Sequence, residues 1–283
     1  MSISELDAAY THCLAMARNH YENFPVASHL LPARMRRPVA AVYAFARTAD
    51  DFADEGDDTP EVKLQRLDAY GKALDRAYAG MPGEDPVFIA LADVADRFKI
   101  PASLFHDLLS AFRQDVTKRR YANHGEVLEY CRHSANPVGR LLLHLHGSVD
   151  ETSLRQSDAI CSALQIINFL QDLGQDYDEN DRIYMPQDEM ARFGVTEAHF
   201  AERRSDENMQ RLITHQLERT RAMMLEGAPL GRRLGGRFGL ELRLITQGGL
   251  RVLGRLETNR EDLFARPRLG WRDWAVVALR ALY

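Results

Sequence analysis

Four aspartates stand at helical spacing inside two of the least polar stretches of this 283-residue chain. Asp172 and Asp176 lie four apart, as do Asp50 and Asp54. Residues four apart share one helix face, and like charges there destabilise an isolated helix by ~0.2–0.5 kcal/mol. Upstream of the second pair come Asn168 and Gln165, so Gln165, Asn168, Asp172 and Asp176 form one polar stripe. The rest of that stretch is Ile160, Ala163, Leu164, Ile166, Ile167, Phe169, Leu170 and Leu173. A helix apolar over most of its circumference is expected to be buried. The first pair belongs to a similar stripe, Tyr43, Arg47, Asp50 and Asp54, among Val42, Ala44, Phe45, Ala46, Ala49, Phe52 and Ala53.

Ionised carboxylates left unpaired in an apolar interior cost several kcal/mol each. Each stripe must therefore meet cations, metal ions or a wet cavity. The economical expectation is that the two stripes oppose each other across a cavity and hold Mg²⁺. This ion prefers oxygen ligands, takes few carboxylates and completes its shell with water and substrate phosphate. Asn168 can add a neutral oxygen, and Arg47 can grip a phosphate bidentately. With apolar lining elsewhere, the expected substrate is a diphosphate head on a hydrocarbon tail. Solvated faces carrying ordinary Asp–Arg pairs remain the competing reading.

The elements that must position these residues read as helices nearly throughout. Ser4-Glu5-Leu6 opens the first, with Leu6, Tyr10, Cys13, Leu14 and Ala17 on one side. Pro38 sits where a helix can begin, ahead of a run from Val39 to Ala53. Thr59-Pro60-Glu61 resembles a capped start, and Pro86 and Pro101 open two more helices. Val127–Leu145, Asp158–Tyr177, a long polar helix from Thr196 to Glu226, and Leu240–Leu256 follow, with a C-terminal helix over 271–283. No stretch alternates convincingly as a strand. The expectation is one all-α domain over 1–283, with roughly ten helices of ordinary length and a core at about 20–257.

Composition bounds the function. Charged residues are 27% and hydrophobic ones 45% of the chain, a globular profile. The net charge of −5 gives no electrostatic case for nucleic-acid binding. Cys13, Cys131 and Cys161 match no zinc or disulfide pattern and point to a reducing cytosol. Met1–Asp7 lacks a positive secretory n-region, and no run matches a spanning helix. The expectation is a cytoplasmic protein. Trp271, Trp274, Val276, Val277 and Leu279, with Arg266, Arg268 and Arg272, leave two fates open for the C-terminal helix: core packing, or peripheral contact with the inner membrane. His144 and His146 are two apart and cannot share a helix face, which argues against a metal pair.

At the two aspartate stripes the chain resembles the squalene/phytoene synthases, head-to-head synthases acting on isoprenyl diphosphates. The resemblance runs from about His20 to Glu257. The first aspartate box is Tyr43–Asp54, the second Gln165–Asp176, and Arg182-Ile183-Tyr184-Met185-Pro186 follows. His20–Ser28 (HYENFPVAS) and Ser134–Gly139 (SANPVG) are similar to the hydroxysqualene synthase branch of bacterial hopanoid pathways. The resemblance implies a helical isoprenoid-synthase bundle around a central apolar cavity. It implies Mg²⁺ held by Asp50, Asp54, Asn168, Asp172 and Asp176, with Arg47, His20, Tyr43, Arg182 and Tyr184 on the diphosphate. The branch converts presqualene diphosphate and water to hydroxysqualene and diphosphate. That implies coupling to a presqualene diphosphate synthase upstream and a hydroxysqualene reductase downstream.

In such a reaction a dry pocket protects the carbocation, and aromatic faces such as Phe24, Phe45 and Phe169 can stabilise it, although core packing is the commoner role for each. One water must still enter, held by Tyr130, Asn136 or Gln165. The chain departs from the wider family at Asn23-Phe24, at Asn136-Pro137, at Gln171 where Arg is frequent, and at Gly249 where Tyr is frequent. Each change touches the expected pocket, so the reaction should differ from phytoene or one-step squalene synthesis. No Gly-rich dinucleotide loop follows a strand. The alternatives are a synthase making presqualene diphosphate, squalene or phytoene, and a non-catalytic assembly protein of the same shape.

Overall fold

The computed structural model describes residues 3–19, 30–54, 56 and 58–282. His20, Phe24 and the rest of the 20–28 motif lie outside them. The chain opens with α1 (Ile3–Asn19), α2 (Ala33–Asp54), α3 (Pro60–Tyr78), α4 (Pro86–Phe98) and α5 (Ala102–Thr117). Strand β1 (Arg120–Tyr121) precedes α6 (His124–Ser134), α7 (Asn136–His146), α8 (Glu151–Gln171) and α9 (Leu173–Asn180). After β2 (Ile183–Pro186) come α10 (Gln187–Phe193), α11 (Glu197–Ala201), α12 (Glu207–Gly227), α13 (Pro229–Leu234), α14 (Gly236–Thr258) and α15 (Trp271–Leu282). No helix among the described residues is long and apolar enough to cross a membrane.

The contacts divide the chain into two compact units: Met1–Thr117 with Pro137–Leu154, and Lys118–Asn136 with Arg155–Tyr283. In the first, α2 packs on α1, α3, α4 and α5. Ala40, Ala41, Ala44 and Ala49 are almost wholly buried along α2, and their small side chains allow four neighbours to come close. Phe45 anchors this core, 5.0 Å from the Tyr70 ring and 5.1 Å from Phe105. Its ring is fully enclosed, so it serves packing rather than a carbocation.

Several expected boundaries shift. Helix α2 begins at Ala33, leaving Pro38 inside it. A proline there removes one N–H and crowds the previous turn, but burial of Met35, Pro38 and Val39 holds the helix through it. The expected run from Val127 to Leu145 breaks at Ala135, because Pro137 cannot donate into a continuous helix. The expected helix from Thr196 is two, separated where Arg203 takes φ 51°. Asp206 then caps α12 by accepting from the Met209 N–H at 3.1 Å. These two breaks, a third at Asp172, and the short helices α10 and α13, which the spacing does not announce, bring the count to fifteen helices among the described residues, above the expected ten. The parallel pair β1–β2 also escaped the sequence reading, since two and four residues are too few to show alternation.

In the second unit α14 packs on α12, α13 and α15. Glycine permits the closest helix approach. A Cβ on Gly227, at the end of α12, would sit 2.6 Å from the Gln156 carbonyl oxygen and 2.5 Å from Ile160 Cγ1, both on α8. Backbone cannot yield as a side-chain end can. Gly227→Ala is therefore expected to destabilise the fold by about 1–3 kcal/mol despite alanine's better helix propensity. Denaturant titration reads this; unchanged stability would mean that α8 and α12 are looser than described.

Candidate active site

The second-unit stripe is built as the spacing requires, with one modification. Gln165, Asn168, Asp172 and Asp176 are all half-buried, while Ala163, Ile166, Ile167, Leu170 and Leu173 beside them are buried. The helix is not continuous: Asp172 leaves helical geometry at φ −106°, ψ 19° and caps α9. The stripe survives because the four-residue bonding step continues across the break. Asp172 N–H donates to the Asn168 carbonyl at 2.9 Å, and Asp176 N–H to the Asp172 carbonyl at 2.8 Å.

Crowding two carboxylates in a half-buried site has an electrostatic consequence. Burial, then the Asp172 charge, push the Asp176 carboxyl up to about 7, against the pull of Arg182. Burial also raises Asp172, opposed by Arg266. Arg266 Nε stands 2.7 Å from Asp172 Oδ1, a partner 94 positions down the chain that no local pattern announces. Gln171 Nε2 donates to the Pro267 carbonyl at 2.9 Å. Gln171 thus fastens the segment that delivers Arg266.

Arg182 and Tyr184 join this stripe through β2. Asp181 turns the chain at φ 49°, and the Arg182 N–H donates to the Asp176 carbonyl at 2.9 Å. Arg120 clamps the turn, meeting Asp181 Oδ1 at 2.7 Å and Glu197 Oε1 at 2.8 Å. The Arg182 guanidinium is buried and donates to the Tyr184 hydroxyl at 3.3 Å. The Tyr184 ring stacks on Phe169 with centroids 3.6 Å apart, and Tyr121 and Tyr130 complete the cluster. Tyr130 and Phe169 therefore both pack against the Tyr184 ring. Asn136 is also committed, its Oδ1 accepting from Ser162 Oγ at 2.8 Å. A Cβ on Gly249 would lie 2.7 Å from Met224 Cε and 3.2 Å from Leu164 Cδ2, so a larger residue there would require these side-chain ends to move.

One apolar pocket in this unit is lined by Ile166, Phe169, Leu170, Leu173 and Tyr184, among others. It opens roughly a quarter-turn around α8 from the stripe, not along it.

In the first unit Tyr43, Arg47 and Asp50 are half-buried on α2, and Asp54 at its end is exposed. Arg47 pairs with Asp50 at 3.4 Å and more closely with Asp51, at 2.5 Å. Asp51 was absent from the expected set, although its position four after Arg47 was readable.

The second stripe suits a hard divalent cation. It offers two carboxylates and an amide oxygen on one face, with the Asp176 carboxyl pushed up by burial and by the neighbouring Asp172 charge. Among the described residues no three His, Cys, Asp or Glu side chains are already gathered to chelate a metal. Mg²⁺ does not require that, since it characteristically binds through one or two carboxylates plus substrate phosphates.

A profile of squalene/phytoene synthases matches residues 17–275. The chain belongs to the squalene/phytoene synthase family. Membership makes it an enzyme of isoprenoid biosynthesis. It is 35% identical to a hydroxysqualene synthase of Rhodopseudomonas palustris, over 99% of this chain and 92% of the relative. It is 37% identical to a phytoene synthase of Mycobacterium tuberculosis, over 68% of this chain and 62% of that one. The crystal structure of squalene synthase HpnC from Alicyclobacillus acidocaldarius superposes with TM-score 0.86 at 34% identity, covering 92% of this chain and 97% of that one. The all-α isoprenoid synthase fold follows.

Proposed function

We propose that this protein is a hydroxysqualene synthase, converting presqualene diphosphate and water to hydroxysqualene and diphosphate with Mg²⁺. The observation that carries the reading is the half-buried Asn168–Asp172–Asp176 stripe, with Arg182 at its end, in a chain similar over its whole length to a hydroxysqualene synthase. Substrate and product are carried over from that relative's name and from the branch motifs.

Asn168, Asp172 and Asp176 would hold one metal site, and Asp50 and Asp54 would contribute to another. When bound, the metal neutralises negative charge growing on the departing diphosphate. Arg182, buried and tethered to Tyr184, offers a fixed guanidinium for phosphate oxygens. Arg47 can do the same once a phosphate competes for its contacts with Asp50 and Asp51. Arg266 must release Asp172 if that carboxylate is to ligate. The apolar residues flanking the stripe exclude bulk water, which would otherwise trap the carbocation early. Of the three groups expected to hold the reacting water, Asn136 is bonded to Ser162 and Tyr130 packs among aromatics. Half-buried Gln165, at the head of the stripe, is the best placed.

The test is product analysis by mass spectrometry after incubating the protein with presqualene diphosphate and Mg²⁺, without NADPH. Hydroxysqualene is expected. Inertness toward presqualene diphosphate, with turnover of farnesyl or geranylgeranyl diphosphate, would replace this reading with a prenyl-coupling synthase.

A further inference from the structure

Helix α15 buries one mixed face and leaves a larger apolar face outside. The face it turns inward carries Asp273, Val277 and Ala281, all essentially buried. The face it leaves in solvent carries Trp271, Trp274, Leu279 and Leu282, which are 76%, 54%, 59% and 65% exposed. At 100° per residue these four side chains fall in one stripe with Ala275 and Ala278. This seating has a cause in the packing. Asp273 Oδ1 lies 2.6 Å from Arg251 Nε and 2.9 Å from Arg255 Nη2, both on α14. The Gly270 N–H adds a third donor at 2.9 Å. A buried carboxylate with three donors fixes the helix rotation and leaves the apolar stripe outside.

Contiguous exposed apolar surface rimmed by charge marks an interaction site. The charges around it choose the partner. From Ala265 to Leu282 the chain has Arg266, Arg268, Arg272 and Arg280 against one acid, Asp273, which is buried and paired; Arg266 is itself paired with Asp172, which leaves Arg268 and Arg272 as the exposed cations beside the stripe. This basic, tryptophan-bearing strip sits on a chain of net charge −5. Two copies apposed through this strip would bring like charges together. An interface of tryptophan rings and arginines suits the boundary of an anionic bilayer, where the rings enter the headgroup layer and guanidinium groups meet lipid phosphates. The strip also adjoins the site, since Arg266 and Pro267 contact Asp172 and Gln171.

We propose that α15 is a monotopic docking helix that seats the protein on an anionic lipid surface through Trp271, Trp274, Leu279 and Leu282. The inference does not depend on which prenyl diphosphate is turned over. Trp271 and Trp274 are the only tryptophans in the chain, so intrinsic fluorescence reports on this face alone.

The full-length protein is mixed with vesicles of phosphatidylcholine, with or without phosphatidylglycerol, and followed by flotation and tryptophan emission. Flotation with phosphatidylglycerol vesicles, a blue shift, quenching by brominated acyl chains and reversal at high salt are expected. Arg268→Glu with Arg272→Glu, both at exposed positions, should weaken partitioning about tenfold or more. Trp271→Ser with Trp274→Ser should abolish flotation while leaving the helical circular dichroism unchanged. Absence of flotation with anionic vesicles at low salt would overturn the proposal, as would equal flotation of the double glutamate variant. A blue shift without lipid that grows with protein concentration would assign the face to a second copy instead.

Discussion

Asp176→Asn is expected to lower diphosphate release by about 10²- to 10³-fold while raising the melting temperature of the metal-free protein. The two effects have one origin. In the folded chain the Asp176 carboxylate is penalised by burial and by Asp172, which push its pKa up to about 7. An amide of the same shape removes that repulsion, so the apo fold gains. It also removes an anionic ligand, so the metal-dependent step loses. Kinetics with Mg²⁺, paired with thermal melts in chelator, separate this from simple misfolding, which would lower both activity and stability. A variant of unchanged activity would remove Asp176 from the ligand set.

Asp273→Ala is expected to release α15 from α14. The half-buried Arg251 and the exposed Arg255 would lose the acceptor that ties α15 to them. Amide exchange across Trp271–Leu282 should accelerate by at least about tenfold, with little change in α1–α5. The same carboxylate predicts an acid effect. The Arg255 and Gly270 hydrogen bonds, with Arg251, hold Asp273 well below the usual carboxylate range. A depressed folded pKa contributes stability that is complete above the unfolded value, near 3.9, and is lost as pH falls toward the folded one. Exchange of α15 should therefore be flat from neutral pH to about 4, after correction for intrinsic rates, and rise below it. An α15 equally protected in wild type and variant would show that the ion pair does not hold the helix.

The acidic stripes were legible because their signal is local: a four-residue step of acids inside apolar helices needs no knowledge of the partner. The same holds for Pro60 and Pro86, which open α3 and α4 as read. Pro38 misled because burial of neighbouring side chains outweighs a local preference, and only the folded chain reveals that burial. The break at Asp172 left no mark in the spacing, since the backbone bonds on either side preserve it. Arg266 was readable only as one of a basic run, its pairing with Asp172 being set by the path of residues 259–270. Which face of α15 turns inward was not legible in the sequence. Its apolar residues favour core packing on composition, and only the buried Asp273 shows which side faces in.

On the proposed function, the acids on α2 and those around Asp172 are each needed for metal-dependent ionisation. The most direct measurement is release of inorganic diphosphate from presqualene diphosphate by the wild-type protein, Asp50→Asn and Asp172→Asn, each with Mg²⁺ and with chelator. Rapid release is expected only from the wild-type protein with Mg²⁺, with each variant slowed by about 10²-fold or more and release lost in chelator. Undiminished release by either variant, or by the wild-type protein in chelator, would contradict it.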